Sequence, residues 1–401
     1  MKLLTRSIVA LIMSAVAACG GDAQQVSSLV TSSDRELREL AAALLPDLAR
    51  RSGLELKEPV RLEKRSRAQL VQYLRQKLDQ ELPEEEARRT VASYALLGLV
   101  PDTLDLRALL LDLYTEQVAG FYEPDSTALF ILDDQPAATL QPLLVHELVH
   151  AVQDQSADLG ALTDPELGND RGTAALAAIE GHATLVMLEY LTEQMRGSAV
   201  DLGRVGDFAG SLRPALEGMR SQFPALASAP ALLQETLLFP YMEGGAFVQD
   251  LWRQGDRVAP FGAYLPLSTE QILTRDRGDA PLRLSLAVEG GRPVHQEDLG
   301  RLELGVFLDT HLGDGRRELS EGWGGDRYVL VEVPGGGQGL ALVVAWDDVS
   351  ARDAFVAALG GSLGRLPAAA TLEPTEVDGR AAAVLRVGLP ATVRVRAHLV
   401  P

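Results

Sequence analysis

Residues 146 to 150 read His146-Glu147-Leu148-Val149-His150, an H-E-x-x-H motif inside the apolar stretch TLQPLLVHELVHAVQDQ. No other feature limits the fold as strongly. At 3.6 residues per turn the two histidines lie one above the other on a single helix face, so two imidazole nitrogens can converge on one metal ion. Glu147, one residue round, points to the edge of such a site, where a carboxylate can take a proton from a water that the ion acidifies. The fold must therefore hold a helix against a cleft and bring up a third ligand. Thr139 is the expected cap of this helix and Pro142 falls in its expected first turn, with the helix running to Gln155. Leu144, Leu148, Ala151 and Val152 make an apolar stripe suited to a core. The pattern points to a zinc-dependent hydrolase.

A tetrahedral catalytic zinc needs one more protein ligand and an open position. Glu180 is the best candidate and His182 its rival, both in the helical stretch TAALAAIEGHATLVMLEYL, reached through a loop long enough for the chain to reverse. Two residues apart on a helix means about 200° of rotation, so the two cannot both face the ion. The Glu180 side continues through Ala183, Thr184 and Met187, which suit helix packing, and Gly181 allows close backbone approach. The alternative place for His182 is the rim or the surface.

The combination LVHELVHAVQDQ, then AAIEGHATLVM, preceded by QVAGFYEPDSTALFIL, resembles the gluzincin metallopeptidases, in which two helices deliver His, His and Glu to zinc. LFPYMEGGAFVQDLWRQG, LSTEQIL and GWGGDRY resemble, more narrowly, a group of largely uncharacterised bacterial lipoprotein or secreted proteins built round that site. The likeness runs over about residues 105 to 275. It implies that His146, His150 and Glu180 hold zinc and that Glu147 is the general base. His182, where an acidic residue is expected, and Thr274, where a histidine is more usual, depart from the group's pattern.

The N-terminus has a short basic region at Lys2 and Arg6, an apolar run SIVALIMSAVAA, and a lipobox Val16-Ala17-Ala18-Cys19 ahead of the only cysteine. The expected reading is a signal peptide over 1–18, lipid attachment at Cys19 and a flexible tether over 19–32, which places the protein on the bacterial cell envelope. Removal of 1–18 leaves 35 bases against 56 acids, a net charge of -21, and nucleic acid is excluded as a partner on that ground.

The spacing predicts packing helices through residues 33 to 117 and a hairpin at GFYEPDSTALFILDD, turning at Glu123-Pro124-Asp125-Ser126. An extended peptide could add to such a strand by backbone hydrogen bonds. Tyr241, after Pro240 at the expected start of a helix, is the chosen oxyanion donor, with a packing role as the alternative and with Tyr122, Tyr264 or a C-terminal histidine next in line. From about 283 the strands RYVLVEV, LALVVAW, TLEPTEV and AAAVLRV alternate with DVSARDAFVAALGG, capped by Ser350 with Asp353. The run Gly335-Gly336-Gly337-Gln338-Gly339 leads into a strand and reads as a hairpin turn, not a phosphate loop. His295, His311 and His398 lack metal-ligand spacing.

The expected architecture is mainly α with a small β-hairpin or edge sheet, a zincin-like catalytic domain over 33–280, plus a C-terminal α+β domain over 281–401. The expected function is a zinc metallopeptidase acting on a peptide or protein substrate. The alternative is a non-catalytic zinc-binding or scaffolding lipoprotein that keeps the fold.

Overall fold

The structure, a computed structural model, describes residues 29–220, 223–255 and 257–400. The expected signal peptide and Cys19 lie outside the described residues. The fold is mixed α+β. A four-stranded sheet has the order β1 (Val30–Thr31), β2 (Val60–Arg65), β4 (Ala128–Leu132), β3 (Gly120–Glu123). The hairpin forms where the period changes, with Gly120 opposite Ile131 and Glu123 opposite Ala128, and Thr127 at φ 47° closes the turn. Val30 and Thr31 correct the expected tether: they pair parallel with Val60 and Arg61, and Val30 is buried. The strand β2 was hidden by its charges, since Arg61, Glu63 and Arg65 alternate with buried Val60 and Leu62.

Helices α1 (Arg35–Ser52), α2 (Arg67–Glu81), α3 (Glu84–Leu96) and α4 (Leu106–Gln117) follow the predicted leucine spacing. The motif helix α5 (Ala137–Ala157) begins earlier than expected. Pro136 is its N-cap, the Thr139 hydroxyl donates back to the Pro136 carbonyl, and Pro142 sits inside the helix. α6 (Asn169–Arg196) packs beside it. α6 is long and apolar enough to cross a membrane, but 89% of its most apolar window is buried inside the protein, so it is a core helix. α7 (Phe208–Arg220) and α8 (Ala231–Phe239) lead to a π-helical turn, Pro240–Gly244, which runs into α9 (Gly245–Gln254). Phe247, Leu251 and Trp252 of α9 are core residues. A short helix α10 (Thr269–Thr274) ends this half.

The rest is an antiparallel five-stranded sheet, in the order β6 (Arg292–Glu297), β7 (Trp323–Glu332), β8 (Gln338–Trp346), β10 (Arg380–Val387), β9 (Ala370–Val377), with a separate pair β5 (Arg283–Glu289) and β11 (Arg394–Val400). Strand alternation divides its side chains between two cores. Tyr328, Leu340, Leu342, Val344 and Trp346 pack with helices α11 (Gly300–Leu312) and α12 (Val349–Gly360), while Val329, Val331, Ala341 and Val343 face β5 and β11. The cap of α12 is Asp348, whose side chain accepts from the Ala351 amide, and not Ser350. Gly335, Gly336 and Gly337 all have positive φ and make the β7–β8 turn. The first of these two cores also contains Leu70, Tyr94, Leu110 and Phe130, so it runs across the boundary expected at residue 280.

Candidate metal centre

α5 is buried nearly all round from Leu143 to Gln153, which exceeds the single stripe its sequence suggests. His146 and His150 face α6 and Glu180, and the donor atoms of the three lie within 4.8 Å of one another. His146 Nε2 is 3.2 Å from Glu180 Oε2, His150 Nε2 is 2.9 Å from His146 Nε2, and His150 Nε2 is 3.5 Å from Glu180 Oε2. A tetrahedral ion with bonds of about 2.0–2.1 Å separates neighbouring ligand atoms by about 3.3–3.4 Å. The trio therefore fits a small divalent cation with little movement.

His182 is corrected from the rim to the interior, with no exposed surface. Its Nε2 lies 3.1 Å from the Ser52 carbonyl, its Nδ1 lies 3.0 Å from Gln153 Nε2, and Trp252 and Phe261 meet its ring edge to face. Burial drops its pKa to about 3, so the ring is neutral. It points away from the trio, as the helical rotation requires.

Several buried polar atoms at the centre lack a hydrogen-bond partner: both carboxylate oxygens of Glu147, Glu180 Oε1 and His146 Nδ1. Such orphans are costly in a native interior unless something absent supplies the partner. Burial lifts the Glu147 carboxyl to about 8, opposed mainly by the charge on His150. Burial would likewise raise Glu180, but the charge on His150 and hydrogen bonds from both histidines overcome it and bring Glu180 to about 2. For His150, burial is overcome by the Glu180 charge and the pKa rises to about 9, whereas burial dominates at His146 and lowers it. The group thus holds a carboxylate facing an imidazolium, and a divalent cation would take the place of that proton.

The hydroxyl of Tyr241 hydrogen-bonds to the Glu180 carboxylate, and burial, then the charges of Glu180 and Glu147, push its pKa well above the ordinary phenol. Two glycines bring it there. A Cβ at Gly181 would collide with the Gly244 backbone, and one at Gly244 with the Ala177 carbonyl, so α6 and the π-turn approach backbone to backbone one residue from the ligand. The other tyrosines sit elsewhere: the Tyr122 hydroxyl donates to Asp154 at 2.8 Å, and Tyr264 is exposed. Among the histidines, His311 faces the Leu97 carbonyl, His295 lies near Tyr328 and Glu86, and His398 is exposed.

One contributor went unread in the sequence. Gln153 Oε1 is 2.8 Å from His150 Nδ1, and its amide nitrogen donates to the Ile179 carbonyl at 3.0 Å. Its position three residues after His150 on the same helix face was the available signal.

A sequence family described as a domain of unknown function (DUF8575) matches residues 278–396. That span holds most of the C-terminal sheets and none of the metal-centre residues. No curated protein matches the chain, and no solved structure matches it.

Proposed function

We propose that the protein is a zinc-dependent hydrolase of gluzincin type, a peptidase, with a zincin-like arrangement of α5, α6 and the β3–β4 hairpin. His146, His150 and Glu180 hold the ion and Glu147 is the general base. The observation that carries this reading is the orphaned Glu147 beside the three convergent donors. A purely structural site gains nothing from an unpartnered buried carboxylate and would close its fourth position with another ligand. Zinc, when bound, supplies Lewis acidity toward a carbonyl oxygen and toward water. Glu147 is placed to receive the proton of the attacking water and to pass it on to the leaving group. Tyr241 can donate its hydroxyl proton to the oxygen on which negative charge grows. Two imidazoles and a carboxylate are a ligand set that suits catalytic zinc. Peptide as substrate, anchorage at Cys19 and a cell-envelope location remain parts of the same proposal, and the sequence supports them.

A second reading, a non-catalytic zinc-binding or scaffolding lipoprotein, draws on the complete burial of His150 and Glu147, which leaves no surface for substrate in this conformation. One comparison separates the two. Purified protein should carry about one zinc per chain by elemental analysis and cleave a mixed peptide library. Glu147→Gln should keep the zinc and lower cleavage by about 10² to 10⁴. Zinc-loaded wild type that cleaves nothing across neutral pH would favour the scaffold, and zinc content unchanged in His146→Ala and His150→Ala would remove the site.

A further inference from the structure

Gln153 has two chemically distinct ends, and the groups around it leave one way to place them. The Ser52 carbonyl can only accept. His182 Nε2 faces it at 3.1 Å, so the ring proton is on Nε2 and Nδ1 is bare. Gln153 Nε2 lies 3.0 Å from that bare nitrogen and 3.0 Å from the Ile179 carbonyl, so both amide protons have acceptors. The other end, Oε1, is then the atom 2.8 Å from His150 Nδ1, and an amide oxygen there requires a proton on that nitrogen. His150 Nε2 is then the nitrogen facing Glu180 and His146, the one whose proton a metal ion would displace. A turned amide would set its oxygen against the Ile179 carbonyl and the His182 lone pair. It would also force the His150 proton onto Nε2, where it blocks metal binding.

We infer that Gln153 is a positioning residue that fixes His150 in its metal-binding tautomer, and that His182 and the Ser52 carbonyl fix Gln153 in turn. The inference rests on the proposed metal site. It gives His182, two residues from a ligand but facing away, a defined task, and it makes the two histidines of the motif unequal, because His146 Nδ1 has no partner. All three side chains of the relay are free of exposed surface, so no water competes for these bonds.

The test uses Gln153→Leu, of similar volume, and His182→Phe, which keeps a ring between Trp252 and Phe261 but offers no acceptor. Zinc affinity is measured by chelator competition in the full chain, and the ring-nitrogen NMR shifts of His150 are read in metal-free protein above pH 9, where the imidazolium has given up one proton. The wild type should show the Nδ1–H tautomer. Gln153→Leu should weaken zinc by about 10- to 100-fold and mix the tautomers, and His182→Phe should do the same to a lesser degree. Because the two act in one chain, the double variant should lose no more than Gln153→Leu alone. An Nε2–H tautomer in metal-free wild type overturns the inference whether or not zinc binds, so it fails separately from the metal reading. Unchanged zinc affinity in folded Gln153→Leu overturns it, as do strictly additive losses. If Gln153→Leu does not fold, His182→Phe decides: weaker zinc with mixed tautomers supports the relay, and no change in either ends it.

Discussion

Tyr241 and Glu180 share a hydrogen bond in an interior where the phenol is held protonated, and a protonated hydroxyl beside a metal ligand can serve in two ways. If it donates to the charge that grows on a substrate oxygen, Tyr241→Phe should lower turnover by about 10² to 10³ with zinc content and melting temperature unchanged. If it only steadies Glu180, the same variant should lose zinc while the turnover of each loaded site stays near wild type. Turnover and zinc measured on one preparation decide which, and no change in either removes Tyr241 from the site. At this scale the sequence was informative where spacing along one helix settled geometry. His146, Glu147 and His150 are read from a single turn, and the 200° between Glu180 and His182 rightly kept them off one face. It was uninformative where the partner comes from another element. His182 owes its burial to Ser52 and Gln153, 130 and 29 residues away, and nothing near position 182 announces them.

The β3–β4 hairpin and the strands β7, β8, β9 and β10 are legible in the sequence because apolar residues alternate and turn residues bound them. α11 was missed for the opposite reason. Gly300 to Leu308, apart from Arg301, are buried around the whole helix, so no polar face gives the 3.6-residue period. The π-turn at Pro240–Gly244 was also unreadable, since it depends on the contact between Gly244 and α6. That contact makes a test. Gly181→Ala or Gly244→Ala inserts a methyl group into backbone on the facing element, with no flexible side chain to give way, and should destabilise the fold by roughly 1–3 kcal/mol. The shift also moves Tyr241 from Glu180, so activity should fall beyond what stability explains. Gly206→Ala is the control, because nothing lies within 4 Å of its added carbon. Denaturant midpoints that are equal for all three variants would show that the close approach is not needed.

The composition change near residue 283 suggested two bodies, yet the halves are joined by an apolar core and by hydrogen bonds that cross between them, from Asp170 to Asp298 and from Tyr94 to Glu303. Asp326 accepts from the Leu299 and Gly300 amides at 2.8 and 2.9 Å, at the start of α11. Asp298 accepts from the Asp170 amide at 2.6 Å, at the start of α6, and Asp170 accepts from the Thr269 amide at 3.0 Å and from its hydroxyl. Glu303 accepts from Tyr94 at 2.8 Å. Burial, against the hydrogen bonds each carboxylate accepts, lifts Asp170 to about 7, Asp326 to about 6 and Glu303 to about 7. An unfolded aspartate titrates near 3.9, so the folded chain binds more protons than the unfolded one between about pH 4 and 7. The sign follows: the stability each group contributes is fully present below the unfolded value and is lost as pH rises through the folded one. For Asp170 alone the span is about three units, on the order of 4 kcal/mol. The chain should therefore melt several degrees higher at pH 5.5 than at pH 8, the reverse of a protein held by exposed ion pairs. Asp170→Asn keeps an oxygen for Thr269 and cannot ionise, so it should flatten this dependence and gain relative stability at pH 8. Calorimetric melts of the two proteins across pH 5 to 8 check it, and a wild-type melting temperature that climbs with pH would mean that these carboxylates ionise in the fold without cost.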